Sequence, residues 1–183
     1  MVHGDVPRHR TARLGLTIAG ALVNRGVLTA GLLGAGALAG DYLTLLPDLL
    51  PTVSQVVLFD PDDQAADALL DRLVEPLRRR GVQLCVTRHA RDVVRGTDLV
   101  LLADAAHAAA LRAGWLAAGT VVLHLGEPRL PTPLRTAAGV LLTAADPGAV
   151  LLAVMARRLH RAELVVVDLP AGRTGDSRRM SAQ

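Results

Sequence analysis

The chain has 183 residues and a formal charge of +3, enough for one domain with its own core. A single cysteine, Cys85, excludes an internal disulfide and a cysteine-based zinc site, and the absence of lysine excludes Schiff-base chemistry. The excess charge lies at the ends, in Arg8, Arg10 and Arg13 and in Arg173, Arg178 and Arg179, with no basic stripe carrying interleaved aromatics, which argues against nucleic acid as a partner.

Residues 1–10 are polar and read as a linker or disordered arm. Thr11 is placed to cap a helix running to about Asn24, with Leu14, Ile18 and Leu22 on one face and Gly26 as its stop. Arg8, His9, Arg10 and Arg13 before the apolar run Leu14 to Val23 resemble the charged and hydrophobic regions of a signal peptide. Asn24-Arg25 breaks that run, and neither apolar piece reaches the roughly 18 residues that span a bilayer. A cytoplasmic protein without a membrane segment is the expectation.

The next stretch organises the rest. An apolar run (Leu28, Ala30, Leu32, Leu33) ends in Gly34-Ala35-Gly36-Ala37-Leu38-Ala39, a helix follows, and Val56-Val57-Leu58-Phe59 ends in Asp60. This is the order of a dinucleotide-binding βαβ unit. Gly34 permits a tight turn, Gly36 lets a pyrophosphate approach the backbone, and Ala39 lets the helix lie close on the strand. Asp60 is placed to accept hydrogen bonds from ribose hydroxyls. In a chain this rich in Gly and Ala, a small-residue helix-packing turn also satisfies the glycine spacing. The surrounding strand, helix and acidic residue favour the nucleotide reading.

The helix after Gly36 is not expected to run cleanly past Pro47. Asp62 or Asp63 opens a third helix with Ala66, Leu69, Leu70, Leu73 and Leu77 as its stripe; Pro76 should bend its last turn and Gly81 stops it. Val82 to Thr87 is strand three, His89 to Arg95 a short helix, and Asp98 to Ala103 a central strand, apolar after its first residue. A helix is expected over Ala105 to Leu116 and strand five over Thr120 to Leu125. After a proline-rich turn (Pro128, Pro131, Pro133) come a short strand, Gly139 to Leu142, a helix from Pro147 to about His160, and an edge strand, Leu164 to Val167. The alternation predicts an α/β fold: a doubly wound, mostly parallel Rossmann sheet over 11–168 in a single domain, with a disordered basic tail at 169–183.

Several of these segments together resemble the ornithine cyclodeaminase / μ-crystallin family. Arg10-Thr11-Ala12 is similar to its R-T-A helix start, Leu33-Gly34-Ala35-Gly36 to its G-A-G turn, and Phe59-Asp60-Pro61 to the end of its second strand. Ala90 to Val100 resembles its E-A-V-R-G-A-D-I-V stretch, and Trp115-Leu116-Ala117-Ala118-Gly119-Thr120 its W-L-x-P-G-T segment. The likeness covers roughly residues 10 to 145. The segment from His124 to Leu130 resembles the branch that makes a diaminopropionate precursor, an amino-carboxyethyl glutamate dehydrogenase.

That resemblance implies NAD as cofactor. Candidate cofactor contacts are Gly34, Ala35, Gly36, Ala37 and Leu38 in the turn, Asp60, Thr87 and Arg88, Ala103, His124 and Gly126. It implies Arg10 as the substrate-carboxylate arginine. It also implies a catalytic lysine and a substrate domain formed largely by residues before the nucleotide domain; both are expected to be missing here. The family's aspartate after strand five falls near Arg129, or near Glu127 with a small shift, so Glu127 is the one candidate acid/base. His124 can face a nicotinamide or be a satisfied strand-end histidine; Asp104 and His107 follow strand four, where the cofactor ring should lie, and capping and solvent exposure explain them equally well. No metal cluster, Ser-His-Asp order or P-loop is present. Two readings stay open: an NAD-dependent amino-acid dehydrogenase or cyclodeaminase, truncated or split and completed by a separately encoded partner or a homodimer, and a non-catalytic nucleotide-binding module.

Overall fold

The computed structural model describes residues 5–23, 26, 29–104, 107, 109–125, 130–137, 140–143 and 165–169, with 5–7, 125, 140–143 and 165–169 as backbone only. In chain order the elements are α1 (Asp5–Leu22), β1 (Thr29–Leu33), α2 (Ala37–Leu49), β2 (Gln55–Phe59), α3 (Asp63–Arg79), β3 (Gln83–Val86), α4 (Ala90–Val94) and β4 (Leu99–Leu102). A 3-10 turn (Ala113–Trp115), β5 (Val121–Leu125), α5 (Thr132–Ala137), β6 (Val140–Thr143) and β7 (Val165–Leu169) follow.

The strands form one sheet in the order β3-β2-β1-β4-β5-β7-β6. Every described pairing is parallel, with Leu32 opposite Leu58 on one side and Leu101 on the other. A parallel sheet is covered on both faces, which is why β4 is buried along its whole length. One face packs Leu16, Ile18 and Ala19 of α1, Tyr42, Leu43 and Leu46 of α2 and Leu69 of α3 on Leu32, Leu58, Leu101 and Leu123. The other packs Val93 and Val94 of α4 and Leu134 of α5 on Leu33, Val100, Leu102 and Val122. The α/β doubly wound reading holds.

A small residue in β1 sets a close approach. A Cβ on Gly31 would stand 2.3 Å from the Val93 carbonyl oxygen, so α4 lies directly on β1. Asp62 caps α3 by accepting from the N–H groups of Gln64 and Ala65, as one of the two expected caps.

Five expectations are corrected. α1 begins at Asp5, so residues 5–10 are helix and not an arm. α2 continues through Pro47 to Leu49; only two residues follow the proline, so its one missing helical hydrogen bond does not end the helix before Leu49. From Ala109 the segment after β4 is turn and 3-10 helix, not a continuous α-helix to Leu116, while the proline-rich turn contains α5. Pro133 sits at the start of α5, where its fixed φ suits a first helical turn. β7 is not at the edge: it pairs with both β5 and β6, and β6 closes the sheet. The helix expected over 147–160 and the tail lie outside the described residues.

Candidate functional site

β1 and β4 are neighbours whose connections leave the sheet in opposite directions. This is the switch point where an open α/β sheet leaves a crevice at the carboxyl ends of its strands. The Gly34 N–H donates to the Phe59 carbonyl at 2.9 Å and the Ala103 N–H to the Leu33 carbonyl at 2.8 Å, which carries the strand ladders up to that crevice.

Gly34 has φ +95°, a left-handed conformation that favours glycine. It is also crowded: a Cβ there would lie 3.1 Å from the Asp104 backbone nitrogen and from Nδ1 of His107. Gly36 is the opposite. It is the N-cap of α2, makes no side-chain cap, and a Cβ on it would meet no atom within 4 Å. The first turn of α2 holds no acidic residue. An uncapped N-terminus of a 13-residue helix, facing open space, offers N–H donors and the positive dipole end to an anion. Ala37 and Leu38 stand in that turn. Space and donors both fit a pyrophosphate.

Asp60 is 6% exposed and already engaged. Its Oδ2 accepts the Ala35 N–H at 2.7 Å, and its Oδ1 accepts the Asp62 N–H at 2.8 Å. Each oxygen keeps a second acceptor position. His107 Nδ1 lies 3.8 Å from Asp60 Oδ2. The structure therefore brings Gly34, Ala35, Asp60 and His107 together from three strand ends.

The other candidates divide. Thr87 Oγ1 bonds Asp92 at 3.0 Å and accepts the His89 N–H at 3.2 Å, which places it in the start of α4. Arg88 is exposed and paired with Asp63. Ala103 is half-buried beside the crevice. His124 is 1% exposed and pairs in register with Leu102, the last residue of β4. Arg10 stands on the exposed side of α1, two residues from Arg8, whose guanidinium pairs with Asp41 of α2. Gly126 and Glu127 lie outside the described residues.

The sequence places His107 after strand four, where the cofactor ring should lie, but does not join it to Asp60. Its approach to Asp60 depends on two strand ends meeting, and no local pattern signals that. Among the described residues no group of His, Cys, Asp and Glu is arranged for a metal ion, and no helix is long and apolar enough to cross a membrane.

The model of the ornithine cyclodeaminase/mu-crystallin family matches residues 6–133. The chain belongs to that family. No curated protein sequence matches it. Its fold is similar to Δ1-pyrroline-2-carboxylate reductase of Thermococcus litoralis, solved with NADH and L-proline, at 15% identity and a TM-score of 0.71 over 88% of this chain and 59% of that one. It is similar to the probable ornithine cyclodeaminase of Bordetella pertussis at 20% identity and a TM-score of 0.71, covering 91% of this chain and 61% of that one. The iminosuccinate reductase of Paracoccus denitrificans, solved with NAD+, matches at 14% identity and a TM-score of 0.68, over 91% and 59%. The chain thus spans about three fifths of the length of these family structures.

Proposed function

We propose that the chain is an NAD(H)-binding Rossmann domain serving an ornithine cyclodeaminase-like amino-acid dehydrogenase. The observation that carries this is the open, uncapped start of α2 at Gly36, set between Gly34 and Asp60 at the β1/β4 switch point. The NADH and NAD+ of two similar structures support the choice of ligand.

In this reading the turn from Gly34 to Leu38 holds the pyrophosphate, and the free acceptor positions of Asp60 hold the adenosine ribose hydroxyls. Arg88, already paired with Asp63, is the nearest candidate to meet a 2′-phosphate. The bound nicotinamide supplies hydride acceptance from a carbon bearing an amine, giving an imine that is hydrolysed, cyclised or reduced. The substrate groups are proposed to come from elsewhere, either a separately encoded substrate-domain protein or a second copy. Arg10 and Glu127 are the residues of this chain proposed to face a substrate. A place in the cytoplasm, in making a diaminopropionate precursor, is the finer form of the proposal.

One observation favours a non-catalytic module for these 183 residues alone: they contain no lysine. Calorimetric titration with NAD+ and NADH tests the nucleotide reading, and saturable binding lost in Gly36→Val is the expected result. Incubation with NAD+ and ornithine, glutamate or amino-carboxyethyl glutamate separates the two catalytic readings. Steady NADH formation by the chain alone overturns the non-catalytic reading; formation only with a partner supports the split enzyme.

A further inference from the structure

The imidazole of His107 is a polar group at this end of the sheet that the reading above does not use. Its Nδ1 is buried and has no hydrogen-bond partner. The same atom lies 3.8 Å from Asp60 Oδ2, with the two side chains 20% and 6% exposed. It is held there by Gly34, whose missing Cβ leaves the 3.1 Å space that Nδ1 borders, and by the His107 N–H, which donates to the Asp104 carbonyl at 3.2 Å. A nitrogen without a partner beside a carboxylate has one evident use, to carry a proton toward it.

We propose that His107 is a specificity-determining residue of the nucleotide site, its proton setting the charge that Asp60 presents to the adenosine ribose. This rests on the nucleotide reading. Asp60 has one acceptor position left on each oxygen after Ala35 and Asp62 are served. With His107 neutral, the carboxylate keeps its full charge and rejects a 2′-phosphate. With His107 protonated, the pair is close to neutral and the rejection weakens, while the Oδ1 acceptor position stays open to a ribose hydroxyl. Among the described residues, the other acids at this end have partners of their own. Asp62 caps α3, Asp63 pairs with Arg88, and Asp92 bonds Thr87. Asp104, on the loop of His107 itself, borders the same space, and the glycine turn brings no charged side chain.

Dissociation constants of NAD+ and NADP+ measured by calorimetry from about pH 5 to about pH 8, the range in which imidazoles change charge, test the proposal. The 2′-phosphate itself titrates near pH 6, so the comparison is with His107→Asn, which keeps a side-chain nitrogen but takes up no proton. An opposite charge this close commonly moves an equilibrium about tenfold. The wild-type preference for NAD+ over NADP+ is therefore expected to narrow toward acid about tenfold more than that of the variant. His107→Gln provides a second variant if His107→Asn folds poorly, and far-ultraviolet circular dichroism checks both. Parallel pH profiles in wild type and variant overturn the role of His107 and leave the nucleotide reading standing. Failure of the wild type to bind either dinucleotide at any pH overturns both.

Discussion

The Asp60 carboxylate accepts the Ala35 backbone N–H at 2.7 Å across 25 positions of sequence, tying the end of β2 to the glycine turn. A second bond, from the Asp62 N–H at 2.8 Å, fixes the other oxygen. Asp60 therefore shapes the turn as well as offering itself to a ligand. Asp60→Ala leaves both N–H groups without this acceptor and should cost about 3–6 kcal/mol of stability, since bonds to charged acceptors contribute about 1.5–3 kcal/mol each. Urea denaturation measures this, and a loss under about 0.5 kcal/mol would show the two bonds to be unimportant.

The two motif glycines should respond differently. Gly36→Val places its side chain in open space, so stability should change by less than about 1 kcal/mol while NAD+ binding weakens about a hundredfold. Gly34→Ala forces a Cβ onto φ +95° and against Asp104 and His107, and should cost about 1–2 kcal/mol before any ligand is considered. Melting curves paired with calorimetry separate the effects. Normal binding by Gly36→Val would return the turn to a packing role.

Cofactor choice follows from charge. In the proposed nucleotide site the Asp60 carboxylate stands where a 2′-phosphate would lie; no arginine follows it before Arg72, and Arg88 is held by Asp63. NAD+ should bind at least about tenfold more tightly than NADP+ at neutral pH. Tighter NADP+ binding would contradict this. Asp60→Ala with an added neighbouring arginine should reverse the order.

Gly31 is a packing glycine, unconnected with any ligand. Gly31→Ala drives a Cβ into the Val93 carbonyl oxygen and should destabilise by about 3 kcal/mol, because backbone on both sides must move. Guanidinium denaturation reads the change; a fully stable variant would mean that α4 can lift from β1 without cost.

Tyr42 makes a pH prediction. Its hydroxyl is buried without a hydrogen-bond partner, and burial pushes the phenol well above its ordinary range. The folded state holds the proton more tightly than the unfolded one, whose phenol ionises near pH 10. Stability from this residue is thus complete below about pH 10 and is lost above it, by about 1.4 kcal/mol per pH unit. Tyr42→Phe should remove that slope and stabilise by about 1 kcal/mol at pH 7, since it deletes an unsatisfied polar group. Denaturation midpoints from pH 8 to about 11 compare the two proteins.

Whatever depends on a few neighbouring residues was legible in the sequence. The turn at Gly34 and Gly36, the acidic end of β2, the Asp62 cap and the central strand Leu99–Leu102 all follow from turn chemistry, capping and apolar runs. The strand order was not. β7 enters between β5 and β6 because a returning strand is placed by sheet pairing and helix cover, and no local pattern encodes which neighbour it meets. For the same reason only the tertiary structure could turn Asp60 inward onto Ala35, set Arg88 on Asp63 and bring His107 to within 3.8 Å of Asp60. Each of those contacts joins ends of different elements, so its energy is decided by how the sheet stacks them and not by the residues beside it in the chain.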